Sequence, residues 1–269
     1  MRSETPHRLE IAAACGLAAV LTAAVAQAQY VTGFENPPFT PGAIASQDSW
    51  ISGGTVSSVR TASDISALLT ASGLNADETV HSGTQALLMS GGEGSVTTRR
   101  FVTGLESETY VSLDAWVRPL DRRLDVGATN VGNSFLVLED SSNSSAGRAA
   151  AVRFGYDTSA LAHIDYATSV SGIWQSTGLS WDPDTWYNIT MNLDMAAQTY
   201  DFYLDGAKVN SSPIPFYSGN TVTSIGGVRF YRGGAQAGMI IDDLTIVPEP
   251  ASIALLLAGG CALLLRRKR

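Results

Sequence analysis

The chain has 269 residues, with 17 Lys+Arg against 25 Asp+Glu for a net charge of −8, and two cysteines, Cys15 and Cys261. An acidic surface repels nucleic acid and anionic lipid, which makes both poor partners. Both cysteines fall in apolar terminal segments, so the region between has no disulfide, thiol nucleophile or cysteine-ligated zinc and must fold on burial alone.

In chain order, Arg2 and Arg8 precede an apolar stretch from Ile11 to Val25, followed by Ala26-Gln27-Ala28. A charged start, an apolar run and a small-x-small site are the layout of a secretory signal peptide. Residues 1–28 are expected to engage the Sec translocon, with cleavage after Ala28. The first 28 residues hold two basic and two acidic residues, and the segment from Pro248 holds four basic and one acidic. The remainder has 11 basic and 22 acidic residues, a net charge near −11. Residues 29–246 are long enough for a single domain.

That domain reads as strands. "GFENPPF", with Glu35, opens it. Only "DISALLTASGL", Asp64 to Leu74, has a helical pattern, inside a long connection. "YVSLDAWVRP" places Val111, Leu113, Ala115 and Val117 on one face, with Tyr110, Asp114, Trp116 and Arg118 on the other. "SFLVLEDSSNSS" and "AAAVRFGYD" follow as short strands bounded by turn residues. "SGIWQSTGLSWDPDTW" carries Trp174 and Trp181 in a Gly-rich stretch. "WYNITMNLDM" aligns Tyr187, Ile189, Met191 and Leu193, and "TYDFYLDGAKV" aligns Tyr200, Phe202 and Leu204 before an Asp205-Gly206 turn, a strong hairpin signal. "SIGGVRFYRGG" and "GMIIDDLTIVP" complete the set. Many short strands with regular turn signals predict an all-β fold, an antiparallel two-sheet sandwich.

The tail is different. Ala251 to Leu265 is fifteen apolar or small residues, about 22 Å of helix at 1.5 Å per residue. A bilayer core of about 30 Å needs roughly 20 residues, so the run crosses only by thinning the bilayer or stretching its flanks. Gly259 and Gly260 weaken the helix, and Arg266 to Arg269 hold the end in the cytoplasm. This predicts a marginal stop-transfer helix. Val247-Pro248-Glu249-Pro250, a short apolar helix and a basic terminus resemble, in order and spacing, the PEP-CTERM sorting signal of Gram-negative bacteria. The resemblance covers residues 247–269. It implies a chain exported across the inner membrane, anchored transiently and handed to the transpeptidase exosortase for the cell surface or extracellular matrix.

"DTWYNITMNLDMAAQTYDFYLDGAKV" and "YVSLDAWVRP" resemble strands of concanavalin A-like (laminin-G-like) jelly rolls. The resemblance implies a jelly-roll sandwich but no one activity, since this architecture hosts lectins, glycosidases and lyases alike. Glycosidases of the fold carry Glu-x-Asp-x-x-Glu, which puts two carboxylates on one face about 5 Å apart. No such spacing occurs here: "ESE" at 106–108 and "ED" at 139–140 lack the third carboxylate. The domain's two histidines, His81 and His163, have no recognisable catalytic neighbours. No catalytic residue is assigned.

Sugars are held by aromatic platforms flanked by hydrogen-bonding side chains. Tyr110, Asp114, Trp116 and Arg118 offer that composition, and so do Trp174 and Trp181 as loop aromatics. The same residues fit a structural arrangement too, with Trp116 under a loop, Arg118 paired with Asp114, and the other tryptophans plugging the sandwich. The family resemblance also implies a structural calcium where first and last strands meet, from Glu35, Asp242 and backbone oxygens near Ser82-Gly83. Alternation puts Asp242 on one apolar face with Ile240, Leu244 and Ile246, where an unpaired carboxylate is costly. Apart from that calcium no cofactor is expected. Three readings follow in order: a non-catalytic module that recognises glycan or an extracellular polysaccharide, a structural surface or biofilm protein without ligand, and a polysaccharide hydrolase or lyase.

Overall fold

The period-two alternation folds into two antiparallel sheets. The computed structural model describes residues 30–248 apart from 54–56, 91–94, 106–107, 122–132, 142–146, 157–160, 169–172, 184, 218–220 and 234–236. Ala26, Ala28, Glu249 and Pro250 lie outside the described residues. Among those described, no helix is long and apolar enough to cross a membrane.

The strands are β1 (Tyr30–Thr32), β2 (Gly42–Ala43), β3 (Trp50–Ser52), β4 (Ser57–Thr61), β5 (Gln85–Met89), β6 (Ser95–Phe101), β7 (Tyr110–Asp121), β8 (Ser134–Glu139) and β9 (Arg148–Tyr156). They continue with β10 (Ala162–Ala167), β11 (Trp174–Ser176), β12 (Tyr187–Asp194), β13 (Thr199–Leu204), β14 (Ala207–Lys208), β15 (Ile214–Pro215), β16 (Gly227–Gly233) and β17 (Ala237–Pro248). One sheet runs β14-β13-β12-β7-β17-β5-β4-β2, with β1 added to β17 and β15 to β13. The other runs β11-β10-β9-β8-β16-β6-β3. The molecule is the expected two-sheet jelly-roll sandwich.

Alternate residues of each strand meet between the sheets. Val111, Leu113, Ala115 and Val117 of β7, Ile189 and Met191 of β12, and Phe202 of β13 face Leu136, Leu138, Val152, Phe154 and Phe230 of the second sheet. Trp50 closes one end of this core, its ring stacked on Phe230 at 6.0 Å and its indole Nε1 donating to the Tyr30 hydroxyl at 3.0 Å. The predicted hairpin forms: Asp205 (φ 51°) and Gly206 (φ 76°) turn β13 into β14, because both central residues of such a turn need positive φ.

A second, smaller core lies outside the first sheet. Helix α1 (Ala62–Ala71) lays Ile65 and Leu69 over Ala86, Leu88, Leu120, Trp186 and Ile240. It begins two residues before the expected start, because the Thr61 hydroxyl caps it by accepting from the amide of Asp64 at 3.2 Å. It stops before Gly73 (φ 69°), where the amide of Leu74 closes on the carbonyl of Leu69 at 2.8 Å.

Strand β17 departs from simple alternation. Its register against β7 shifts between Asp242 and Thr245, and Asp243 there has φ 46°. A bulge inserts a residue and reverses which face follows. Asp242 therefore shares the outer face with Ile240, as expected, but Leu244 and Ile246 fall into the inter-sheet core instead. Glu35 is also displaced from the expected first strand: β1 ends at Thr32, and Phe34 turns the chain at φ 58°. Val247 and Pro248 of the sorting motif are the last two residues of β17, paired with Ser112 and Val111.

Candidate functional site

The outer faces of the two sheets are finished differently. On the first sheet, the segment from Asn75 to Gln85 crosses β5, β17 and β7 and is held there by charged side chains. The fully buried guanidinium of Arg118 donates to the carbonyls of Asn75 (3.0 Å), Asp77, Glu78 (3.2 Å) and Pro183 (3.2 Å). The fully buried Asp242 carboxylate accepts the amides of His81 (3.0 Å), Ser82 (3.1 Å) and Asp243 (2.9 Å). Glu35 accepts the amides of Thr84 (2.7 Å) and Gln85 (2.8 Å) and the Thr84 hydroxyl (2.7 Å). His81 Nδ1 and the Ser82 hydroxyl meet Asp243 at 2.7 and 2.6 Å.

This cover corrects the reading of β7 as an open strip. Arg118 is not a rim residue: the 75–78 carbonyls need a buried donor, and the guanidinium is it. Trp116 is half-buried, with His81 stacked on its indole at 3.8 Å and 13°. Asp114 holds Asn188 Nδ2 at 3.0 Å and the Thr190 hydroxyl at 2.7 Å. Tyr110 alone of the four is exposed, at 42%, and borders a groove of about 290 Å³ with Asn192, Asp201 and Tyr203. The structure thus divides the expected strip between a covered end and an open end.

Glu35 and Asp242 are brought to the same loop, with Asp243 beside them. A Cβ at Gly33 would lie 3.3 Å from Asp243 Oδ1, 3.7 Å from Asp242 Oδ1 and 3.8 Å from Glu35 Cγ, so the three acids ring one small space. Burial pushes Asp242 up to about 7, and the charge of Asp243 adds to this, against the amides that favour its ionised form. Hydrogen bonds from Thr84 and Gln85 outweigh burial at Glu35 and hold it below the usual carboxylate range. Among the described residues no group of three or more His, Cys, Asp or Glu side chains is arranged to hold a metal. The carboxylate oxygens of Asp242 and Glu35 are met here by amide and hydroxyl donors.

The outer face of the second sheet carries a different site. Cross-strand register sets Tyr231 opposite Phe135, Arg229 opposite Val137, and Val137 opposite Ala151. Small Val137 and Ala151 make a floor, and larger side chains make the walls of a groove of about 310 Å³. Phe135 lies 5.1 Å from Tyr231 and 5.3 Å from Trp174, which in turn lies 5.9 Å from Tyr217. Arg153 rests 4.7 Å above the Trp174 ring and pairs with Asp165 at 2.6 Å, fixing the indole. Arg148 and Arg229 line the same groove.

Of the residues singled out in the sequence, only Trp174 belongs here. Trp181 is a plug: it is 6% exposed, packs 4.9 Å from Tyr156 and donates to the carbonyl of Gly155 at 2.8 Å. Glu139 lies under the groove, fully buried, with Arg99 at 2.5 Å and Arg229 at 2.6 Å. Burial raises its pKa, opposed by those arginines and Arg148. Phe135, Arg148, Tyr217, Arg229 and Tyr231 were missed. All but Tyr217, which sits in a turn after β15, were legible only as positions in strands, and the strand order makes them neighbours.

Residues 90–252 match the model of the Laminin_G_3 family, described as the concanavalin A-like lectin/glucanases superfamily. A solved sialidase superposes with a TM-score of 0.52 at 10% identity, covering 81% of this chain and 18% of its own. The chain thus spans less than a fifth of that protein's length. Lectin II from Ulex europaeus superposes at 0.48 with 12% identity, over 81% of this chain and 97% of the lectin. The alginate lyase Aly36B does so at 0.46 with 12% identity, over 82% and 96%. No curated protein matches the sequence.

Replacing Arg118 with Met keeps most of the apolar stem but strands the carbonyls it serves. We expect a loss of about 3 kcal/mol of stability by urea denaturation, from buried acceptors left without a donor. A variant as stable as the native chain would mean that these carbonyls do not depend on Arg118.

Proposed function

The chain belongs to the concanavalin A-like lectin/glucanases superfamily, and within it we propose a non-catalytic, glycan-binding module exported to the cell surface or extracellular matrix. One observation carries the binding reading: the groove on the outer face of the second sheet, walled by Trp174, Tyr217, Tyr231 and Phe135 and flanked by arginines. Aromatic rings present flat apolar faces to the C–H side of a pyranose, and forked donors take its hydroxyls. Arg153 holds the Trp174 indole in place before any ligand arrives, which lowers the ordering cost of binding. A non-catalytic role is supported by Glu139: the carboxylate paired with the groove's Arg229 is also held by Arg99 rather than set opposite a second acid.

Export rests on the terminal segments, and exosortase sorting on Val247-Pro248-Glu249-Pro250. A structural calcium held by Glu35 and Asp242 is part of the same proposal. It would join the loop at Ser82 to the turn after β1 and the bulge of β17, supplying positive charge where three acids meet.

Three outcomes test these readings. Trp174→Ala should weaken binding of a glycan found on an array at least tenfold, about 1.4 kcal/mol, with the melting temperature nearly unchanged. Equal binding by the variant would move the site elsewhere, first to the groove beside Tyr110. Replacing Pro248-Glu249-Pro250 by alanines should leave full-length chain in the inner membrane by fractionation; normal maturation would remove the sorting reading. EDTA should lower the melting temperature and calcium restore it, by up to about 2.7 kcal/mol at a hundredfold excess over Kd, and Asp242→Asn should abolish the response. A melting curve indifferent to EDTA would end the calcium reading.

A further inference from the structure

Four arginines reach the outer face of the second sheet in a chain whose net charge is −8. Three of them already have carboxylate partners. Arg99 and Arg229 share Glu139, and Arg153 holds Asp165 together with His163, at 2.6 and 3.0 Å. Arg148 is the exception. It opens β9, half-buried, with its guanidinium carbon 5.5 Å from the Tyr217 ring centre and its head lining the groove. Its Nε is buried and has no hydrogen-bond partner, and among the described residues no carboxylate pairs with it. Glu139, whose charge acts on it, is engaged by two other guanidiniums.

A guanidinium that is partly desolvated and shares its counter-ion with two others is costly to keep unless something supplies a further anion. Its planar fork matches a carboxylate, two parallel N–H groups meeting two coplanar oxygens. The aromatic walls beside it take the ring of a sugar. Repulsion between the acidic chain and a polyanion is screened within about 8 Å at physiological salt, so contact charges inside the groove decide the outcome.

We propose that this groove recognises an acidic polysaccharide, with Arg148 receiving the carboxylate of a uronic acid residue while Trp174 and its aromatic neighbours hold the sugar ring. The proposal rests on the glycan-binding reading of the same groove and adds its ligand class. The carboxylate keeps its charge and no covalent step is involved. Arg229 and Arg99 remain structural partners of Glu139.

The test uses isothermal titration of the purified chain with three forms of one uronic acid hexasaccharide: native, reduced at its carboxyl groups, and reduced then sulfated. The native form should bind at least tenfold more tightly than the reduced form. Arg148→Gln should erase that preference by weakening only the native form, with an unchanged melting temperature, and Trp174→Ala should weaken native and reduced forms alike. If the reduced form binds as tightly as the native one, or Arg148→Gln keeps the preference, the ligand is a neutral sugar: the acidic assignment falls and the glycan reading stands. If the sulfated form equals the native one, the groove reads charge rather than carboxylate, and the assignment falls again. If no form binds and Trp174→Ala changes nothing on a glycan array, both readings fall together.

Discussion

The segment from Asn75 to Thr84 lies outside the strand ladders, and three charged side chains hold its peptide groups and the first amide of β5. Arg118 takes carbonyls at 75, 77 and 78, Asp242 takes amides at 81 and 82, and Glu35 takes amides at 84 and 85. Buried peptide groups without partners each cost energy comparable to a lost hydrogen bond, and a buried charge costs more. Neither class of group tolerates this position without the other. The outer layer of the first sheet follows from that mutual dependence: α1 is seated, His81 reaches Trp116, and the indole of Trp186 finds the carbonyl of Glu78 at 2.7 Å.

The two sheets therefore present opposite surfaces. The first is roofed over β4, β5, β17 and the end of β7, and the polar field around Tyr110, Asn192 and Asp201 stays open. The second has no helix among its described residues, and its groove is made by side-chain size alone, small residues at the centre and rings around them. Glu139 pairs with Arg99 and Arg229, while Arg148 lines the groove beside Tyr217.

Much of the fold was legible. Alternation in "YVSLDAWVRP" and "WYNITMNLDM" gave the faces of β7 and β12, and Asp205-Gly206 gave their hairpin neighbour. These signals are local, and local sterics enforce them. What failed was non-local. Nothing within "MIIDDLTI" announces that Asp243 takes a left-handed conformation and reverses the faces beyond it. Nothing near Arg118 announces that carbonyls some forty positions earlier will need its donors. The meeting of Glu35, Asp242 and Ser82-Gly83 was anticipated from the family's habit, whereas the groove on the second sheet was not. Trp174 stood out as an aromatic in a loop-rich stretch, but Tyr231 and Phe135 looked like any other strand residues until register put them side by side.

The last strand of the described domain is a central one. β17 lies along β7 on one edge, and its other edge is shared by β5 and β1, with Tyr30 facing Ile246. Closing a loop of that length costs about 5 kcal/mol of chain entropy on the logarithmic scale, and such distant pairings fold slowly. A partial chain that has emerged only as far as β16 lacks the piece that joins β7 to β5, so its first sheet exists as two halves with raw edges. Assembly must wait for the final dozen residues of the domain to appear. A polypeptide built this way completes its first sheet only when its last strand arrives.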